Sequence, residues 1–264
     1  MRIKKIFLLI SLLAVGYISC EELLPTTDQT VAGLKEALNL GIKNAVVEVS
    51  KPGGYLNDVI KINLPEGAQS TFAVINALRS KNNLIIDMAL DQLNIDVDLE
   101  NTLTILINSA AEDAAPKSVN VFVSAITGMT ISDGKSILFG ENDAATQYLK
   151  TNTYTQLQTA FNPTITKSLE TISIAGVTPV EAWDKVATLN NKLFNLINTV
   201  SVASSALNSL GISLKPMETN LSDYVTGKAL DGLFVKVAGE ESKIRTDVNA
   251  RTSDLLRKVF GQLD

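Results

Sequence analysis

The stretch VAGLKEALNLGIKNAVVEV, residues 31–49, decides the fold. Leu34, Leu38, Ile42, Ala45, Val46 and Val49 recur mostly at intervals of three and four, the spacing that gathers side chains on one face of an α-helix. Asp28-Gln29-Thr30 gives that helix a polar entry, and Ser50-Lys51-Pro52-Gly53-Gly54 stops it, because proline cannot continue the backbone bonding and paired glycines favour a turn. Beyond the turn, Ile60-Lys61-Ile62-Asn63-Leu64 alternates with period two before Pro65. It is the only plausible strand in the sequence, and it has no second strand to pair with. Upstream, Cys20 to Thr30 is polar and acidic with Pro25 inside, and reads as a tether.

From Ala68 the helical period returns in blocks separated by Asn82-Asn83, by Asn94-Ile95-Asp96-Val97-Asp98 and by Pro116. Leu99, Leu103, Leu106, Ile107, Ala110 and Ala114 make a buried stripe with Asp96 or Asp98 as its cap. Pro116 suits the first turn of the next helix, Lys117 to Ile126. Two short helices then open at Ser132-Asp133 and Asn142-Asp143, divided by Gly140, and a separate helix runs from Gln156 to Ile174 with Pro163 as an early kink or start. Thr178-Pro179 opens another through Trp183, Leu189, Leu193, Leu196 and Ile197. Val200 to Gly211 carries no charge and is expected to be buried.

A last pair of helices spans about Thr219 to Arg245 and Asn249 to Phe260. The short connection implies antiparallel packing, with Arg251 and Asp254 brought near Glu241 and Arg245. The fold class is all-α, about ten helices in one compact bundle-like domain over residues 31–264. A chain of this length buries enough surface to form a sizeable core without a disulfide.

The N-terminus carries an address. Met1-Arg2-Ile3-Lys4-Lys5 is positive, Ile6 to Ile18 is apolar, and Ser19 precedes the only cysteine, Cys20, a pattern that reads as a secretory signal over residues 1–19. The apolar run is too short to span a bilayer, which needs about 20 residues. Cys20 is read as the lipidation point of a bacterial lipoprotein, with Tyr17 standing where an aliphatic residue is usual. Glu21-Glu22 behind it is similar to the acidic export signals of some outer-membrane lipoproteins. Of the 23 basic residues Arg2, Lys4 and Lys5 lie in the signal, leaving 20 against 28 acids, a net charge of −8. That balance argues against a nucleic-acid partner, which needs clustered Lys and Arg. Membrane attachment then rests on acyl chains rather than on a basic patch.

Chemistry begins with an absence, since the chain has no histidine. Ser-His-Asp and Cys-His catalysis and His-based zinc sites are excluded together, and no cofactor motif occurs. Asn94-Ile95-Asp96-Val97-Asp98 matches the first half of a calcium loop, but Leu99 stands where glycine is needed and Ile105 where the bidentate glutamate should be. Ser132-Asp133-Gly134-Lys135 has the Ser-x-x-Lys spacing without a Lys-Thr-Gly partner, and a cap and turn account for it. Glu112-Asp113 and Glu240-Glu241 are neighbours on a helix and point about 100° apart. Glu181 with Lys185, Glu241 with Arg245, Asp247 with Arg251 and Asp254 with Lys258 are spaced as solvated i to i+4 pairs.

Several strings resemble a known family: Ser50-Lys51-Pro52-Gly53-Gly54-Tyr55-Leu56-Asn57, Asn108-Ser109-Ala110-Ala111-Glu112, Ala144-Ala145-Thr146-Gln147-Tyr148-Leu149, Leu221 to Thr226, Lys228 to Phe234 and the tail Arg251 to Gly261. They are similar to the bacterial envelope family called domain of unknown function 4197, over about residues 31–261, with departures between about Thr71 and Asp98 and from Leu193 to Leu214. The resemblance implies a helical, secreted or lipid-anchored protein and assigns no activity.

Within those strings Tyr55, Asn57, Glu112, Thr146, Tyr148, Asp223, Tyr224, Lys228, Asp231, Glu241, Arg245, Arg251 and Asp254 are the candidate polar site. Asp231, between Leu230 and Gly232-Leu233-Phe234, is expected at the packed edge of its helix with Arg245 or Arg251 as partner. Two functions fit. One is a non-enzymatic envelope module that binds a partner protein or an apolar ligand. The other is a hydrolase of envelope glycan using two of Glu112, Asp223, Asp231 and Glu241, which requires two carboxyls roughly 5 to 10 Å apart in one cleft.

Overall fold

The computed structural model describes residues 25–79, 98–199, 213–217 and 220–264. Residues 1–19, Cys20, the string 94–97 and the apolar stretch 200–211 lie outside the described residues. The helices are α1 (Thr27–Val49), α2 (Glu66–Arg79), α3 (Leu99–Ala114), α4 (Ser118–Gly128), α5 (Ile131–Leu138), α6 (Ala144–Thr171), α7 (Pro179–Thr199), α8 (Leu221–Thr246) and α9 (Asp254–Phe260). No strand occurs among the described residues beyond one isolated bridge between Ile174 and Val177. None of their helices is long and apolar enough to cross a membrane.

α1 starts earlier than its apolar stripe. Thr26 is the N-cap, its hydroxyl accepting the Gln29 amide while the Gln29 side chain accepts the Thr26 amide, a reciprocal capping box. The expected tether therefore ends before Thr27, and Thr30 is buried. At the start of α3, Asp98 occupies the cap position but its side chain caps nothing. Pro116 sits in a 3-10 turn, Ala115–Lys117, that leads into α4, as its fixed φ favours.

α6 joins the short helix expected from Asn142-Asp143 to the one expected from Gln156, and Pro163 does not start a helix. It is one 28-residue helix with that proline inside it. Interior proline costs roughly 3 kcal/mol, but Ala145, Leu149, Thr153, Leu157, Phe161, Ile165 and Leu169, every fourth residue, are all buried. A continuous stripe of that length outweighs one lost hydrogen bond.

α8 lies at the centre, packed on α6, α1 and α3, while α6 also covers α4 and α2 packs on α7. A single apolar cluster runs from Leu34 to Phe260. The C-terminal pair differs from expectation. Val248–Ala250 forms a separate 3-10 turn, Ser253 caps α9 by accepting the Leu256 amide, and α9 packs on α1 rather than antiparallel on α8. Gly33 explains the choice: a Cβ there would lie 2.6 Å from Val259 Cγ2, so the missing side chain is the space that α9 occupies.

The lone extended segment finds a partner in a side chain. Ile60, Ile62 and Leu64 are buried while Lys61 and Asn63 are exposed, the alternation the sequence shows. Asn108 of α3, fully buried, accepts the Ile62 amide (2.8 Å) and donates to the Ile62 carbonyl (2.9 Å), standing in for a neighbouring strand. Asn108→Ala strands two backbone groups and is expected to destabilise the fold by about 2–3 kcal/mol. Urea denaturation would measure this. A loss below about 0.5 kcal/mol would mean that water replaces the amide without penalty.

Candidate functional site

The candidate residues fall into three places. The first is a joint where three helix ends meet. Glu241 of α8 is buried and its carboxylate accepts the backbone amides of Ala145 (2.9 Å) and Thr146 (2.8 Å) and the Thr146 hydroxyl (2.8 Å) at the N-terminus of α6. An anion belongs there, because the first amides of a helix have no intrahelical acceptor and the dipole is positive. Arg245 donates to Glu241 at 2.9 Å and to the carbonyls of Leu138 (3.0 Å) and Ile137 (2.8 Å) at the C-terminus of α5, where a cation belongs for the same reason. Arg251, almost fully buried, donates to the Ile244 and Arg245 carbonyls at the end of α8 and forks onto Asp264 at 2.6 and 2.7 Å.

Several expected pairs change at this joint. Glu241 and Arg245 form an ion pair as spaced, but a buried one rather than a solvated one, because helix ends converge on both partners. Asp247 accepts the Asn249 amide instead of meeting Arg251. Asp254 is exposed and pairs with Arg257, not with Lys258, and reaches the joint only through that arginine, which donates to the Arg251 carbonyl at 2.8 Å. Asp133 accepts the Thr130 amide and hydroxyl, which hold its carboxyl below the usual range, with Tyr148 adding a weaker hydrogen bond. Tyr148 is half-buried, and burial raises its hydroxyl.

The second place is the turn after α1. Gly53, at φ +80°, leaves room for Asn57, whose amide nitrogen would lie 2.3 Å from a Cβ there. The turn points Tyr55 inward, where its hydroxyl donates to the Ala229 carbonyl at 2.8 Å and burial raises its pKa. Glu112 of α3 sits beneath the turn and accepts the Tyr55 amide at 3.3 Å. Burial raises the Glu112 carboxyl above its ordinary range, against the lowering effect of the Tyr55, Gly53 and Leu56 amides. Asp113 points elsewhere and accepts the Ser168 hydroxyl at 3.0 Å, as helical neighbours must.

The third place is an open groove of about 580 Å³ between α8 and the segment 59–64, a turn at Val59-Ile60 followed by residues 61–64. Tyr224, Lys228 and Asp231 all line it, together with Val235. These four are spaced 4, 3 and 4 apart, a second helical stripe on the side of α8 away from Leu230, Leu233 and Val237. Asp231 is accordingly exposed, and the expected pairing with Arg245 or Arg251 does not form: both arginines are committed at the joint. The Tyr224 hydroxyl donates to the Asn63 carbonyl at 2.9 Å, and the Lys228 ammonium lies 5.9 Å from the Tyr224 ring centroid.

Asp223 stands outside the groove and accepts from Asn162 at 2.8 Å. Of the four acids considered for hydrolysis, only Asp231 lines the groove. Asp223 and Asp231 are eight residues apart on one helix, about 12 Å by rise alone. Glu112 and Glu241 are enclosed by backbone amides in different parts of the molecule. Among the described residues no three acidic or cysteine side chains are grouped to hold a metal ion.

Asn108, Lys61, Asn63 and Val235 stand outside the candidate residues that the sequence points to. Asn108 left a signal, a polar residue inside the Leu103, Leu106, Ile107, Ala110 stripe.

The fold and its sites define a class: an all-helical domain whose buried charges tie helix ends together and whose open groove runs beside an extended segment. The chain belongs to the family described as protein of unknown function (DUF4197), whose model matches residues 25–261. That match begins just before the Thr26 cap of α1. No curated protein and no solved structure is a match.

Proposed function

We propose that this protein is a lipid-anchored component of the bacterial cell envelope, held at the outer membrane by acyl chains on Cys20, and that its helical domain is a non-enzymatic binding module for an envelope protein or an apolar ligand. The anchor rests on the signal pattern of residues 1–19 and the lone thiol behind it. Six residues, Glu21 to Thr26, separate Cys20 from α1, a reach of about 20 Å at full extension. The domain thus works close to the lipid surface.

The observation that carries the binding reading is the distribution of acids. Glu112 and Glu241 are spent on helix ends and a turn, while the groove gathers Tyr224, Lys228 and Asp231 of α8 with Lys61 and with Glu66 of α2. An open groove of balanced charge, flanked by a tyrosine and apolar side chains, is suited to recognising a ligand. Replacing Cys20 with serine is expected to move the protein from the membrane fraction to the soluble fraction or to leave it uncleaved, read by fractionation and by incorporation of labelled fatty acid. A wild-type protein found water-soluble with a free thiol would end the anchoring proposal.

A further inference from the structure

We infer that the groove between residues 59–64 and α8 takes an extended peptide segment of a partner protein, which adds as a short parallel strand along the free edge of residues 61–63; this rests on the binding-module reading and specifies its ligand.

In an extended chain the N–H and C=O of successive residues point to opposite sides. Both groups of Ile62 point to Asn108. Those of Lys61 and Asn63 therefore point the other way, toward α8, where the Tyr224 hydroxyl reaches the Asn63 carbonyl. On that edge the Lys61 amide is taken by the Asp58 carbonyl. Among the described residues the Lys61 carbonyl and the Asn63 amide have no partner.

An acceptor on one residue and a donor two residues later is the pattern a single residue of a parallel strand satisfies, donating its N–H to the first and accepting from the second. In an extended polypeptide the N–H and C=O of one residue point to the same side, as this edge requires, whereas the N–H and C=O of an acetamido sugar point in opposite directions and an acyl chain has no such pair. Strand addition of this kind draws affinity from main-chain bonds and selectivity from flanking side chains.

The groove walls fit the same occupant. Val59, 91% exposed, and Val235, 53% exposed, both line it and offer apolar contact for a β-branched side chain. The four charges on the groove, Lys61, Glu66, Lys228 and Asp231, cancel. That balance disfavours a polyanion and suits a segment of low net charge.

The test uses the full chain in detergent and a phage library of random octapeptides, followed by fluorescence anisotropy with the best synthetic peptide. Asn63→Pro removes the free donor and breaks no bond of the fold, and the main-chain N–H and C=O of Ile62, both directed to Asn108, fit the extended backbone that proline favours in the residue before it. It is expected to weaken binding at least tenfold. Asn63→Ala, which keeps the amide, is expected to bind as the wild type does. Methylating the nitrogen of the peptide's central residue should weaken binding comparably, and serves if the proline variant fails to fold. Absence of enriched peptides, or equal binding by Asn63→Pro and the wild type, would overturn the strand addition. Glycan strands bound in the groove in place of peptides would also overturn it while leaving the binding module standing. A wild-type protein without its lipid would count against the anchor alone.

Discussion

Arg245→Ala is expected to cost about 3–5 kcal/mol of folding stability, because it leaves the Glu241 carboxylate buried with its cation gone. The two side chains are only 3% and 6% exposed, so water cannot replace the guanidinium without opening the joint. The loss extends beyond the ion pair. The Ile137 and Leu138 carbonyls at the end of α5 lose the donor that caps them. Glu241 keeps its bonds to the start of α6, but carries a full charge in a site built for a pair. Double replacement, Glu241→Gln with Arg245→Met, is expected to be less destabilising than Arg245→Ala, since it removes both charges while retaining volume. Denaturant unfolding of the three proteins checks both statements. An Arg245→Ala cost below 1 kcal/mol, the range of surface pairs, would show that the joint opens to solvent.

The same joint marks the boundary of what the sequence discloses. Spacing of i to i+4 identified Glu241 and Arg245 as partners, yet it is identical for pairs in water and pairs in a core. What buries this one is the convergence of the end of α5 and the start of α6, residues about a hundred positions away. The helices themselves were legible wherever one apolar face persisted, as in α1, α3 and α7. Pro163 does not act as a helix start, because a local rule about backbone bonding competes with a stripe of seven buried residues, and the stripe wins. The placement of α9 turned on Gly33, a residue with no chemistry to announce that another helix would lie against it.

The groove was legible in part. Tyr224, Lys228 and Asp231 stand among the candidate residues, and their helical spacing with Val235 puts all four on one face. Asp231 was misjudged by its chain neighbours, Leu230 and Gly232, when its place in the 3.6-residue period turns it outward. The other wall could not be read at all. Nothing in Lys61 or Asn63 says that Asn108, some 46 residues away, satisfies one edge of the backbone between them and leaves the other edge bare.

Phe234→Ala is expected to cost a further large amount, about 3–5 kcal/mol, through lost burial and the cavity left behind. Phe234 is 4% exposed and sits where α4, α6 and α8 meet. Its ring meets Phe122 of α4 edge-on at 5.8 Å and 86°, and stacks with Tyr154 of α6 at 6.3 Å and 17°. Phe122 is fully buried and cannot move far to close the gap, which favours the upper part of the range. Lys150 lies over the same ring at 5.8 Å, a weaker attraction that disappears with it. Phe234→Leu keeps most of the volume and should lose less than half as much. The ring belongs to the face of α8 that packs on α4 and α6, not to the stripe of Tyr224, Lys228, Asp231 and Val235. A Phe234→Leu protein that still folds should therefore bind in the groove as the wild type does while melting at a lower temperature. If peptide binding fell with Phe234→Leu and the melting temperature did not, Phe234 would act through the site rather than through the core, and the separation of the two faces of α8 would be wrong.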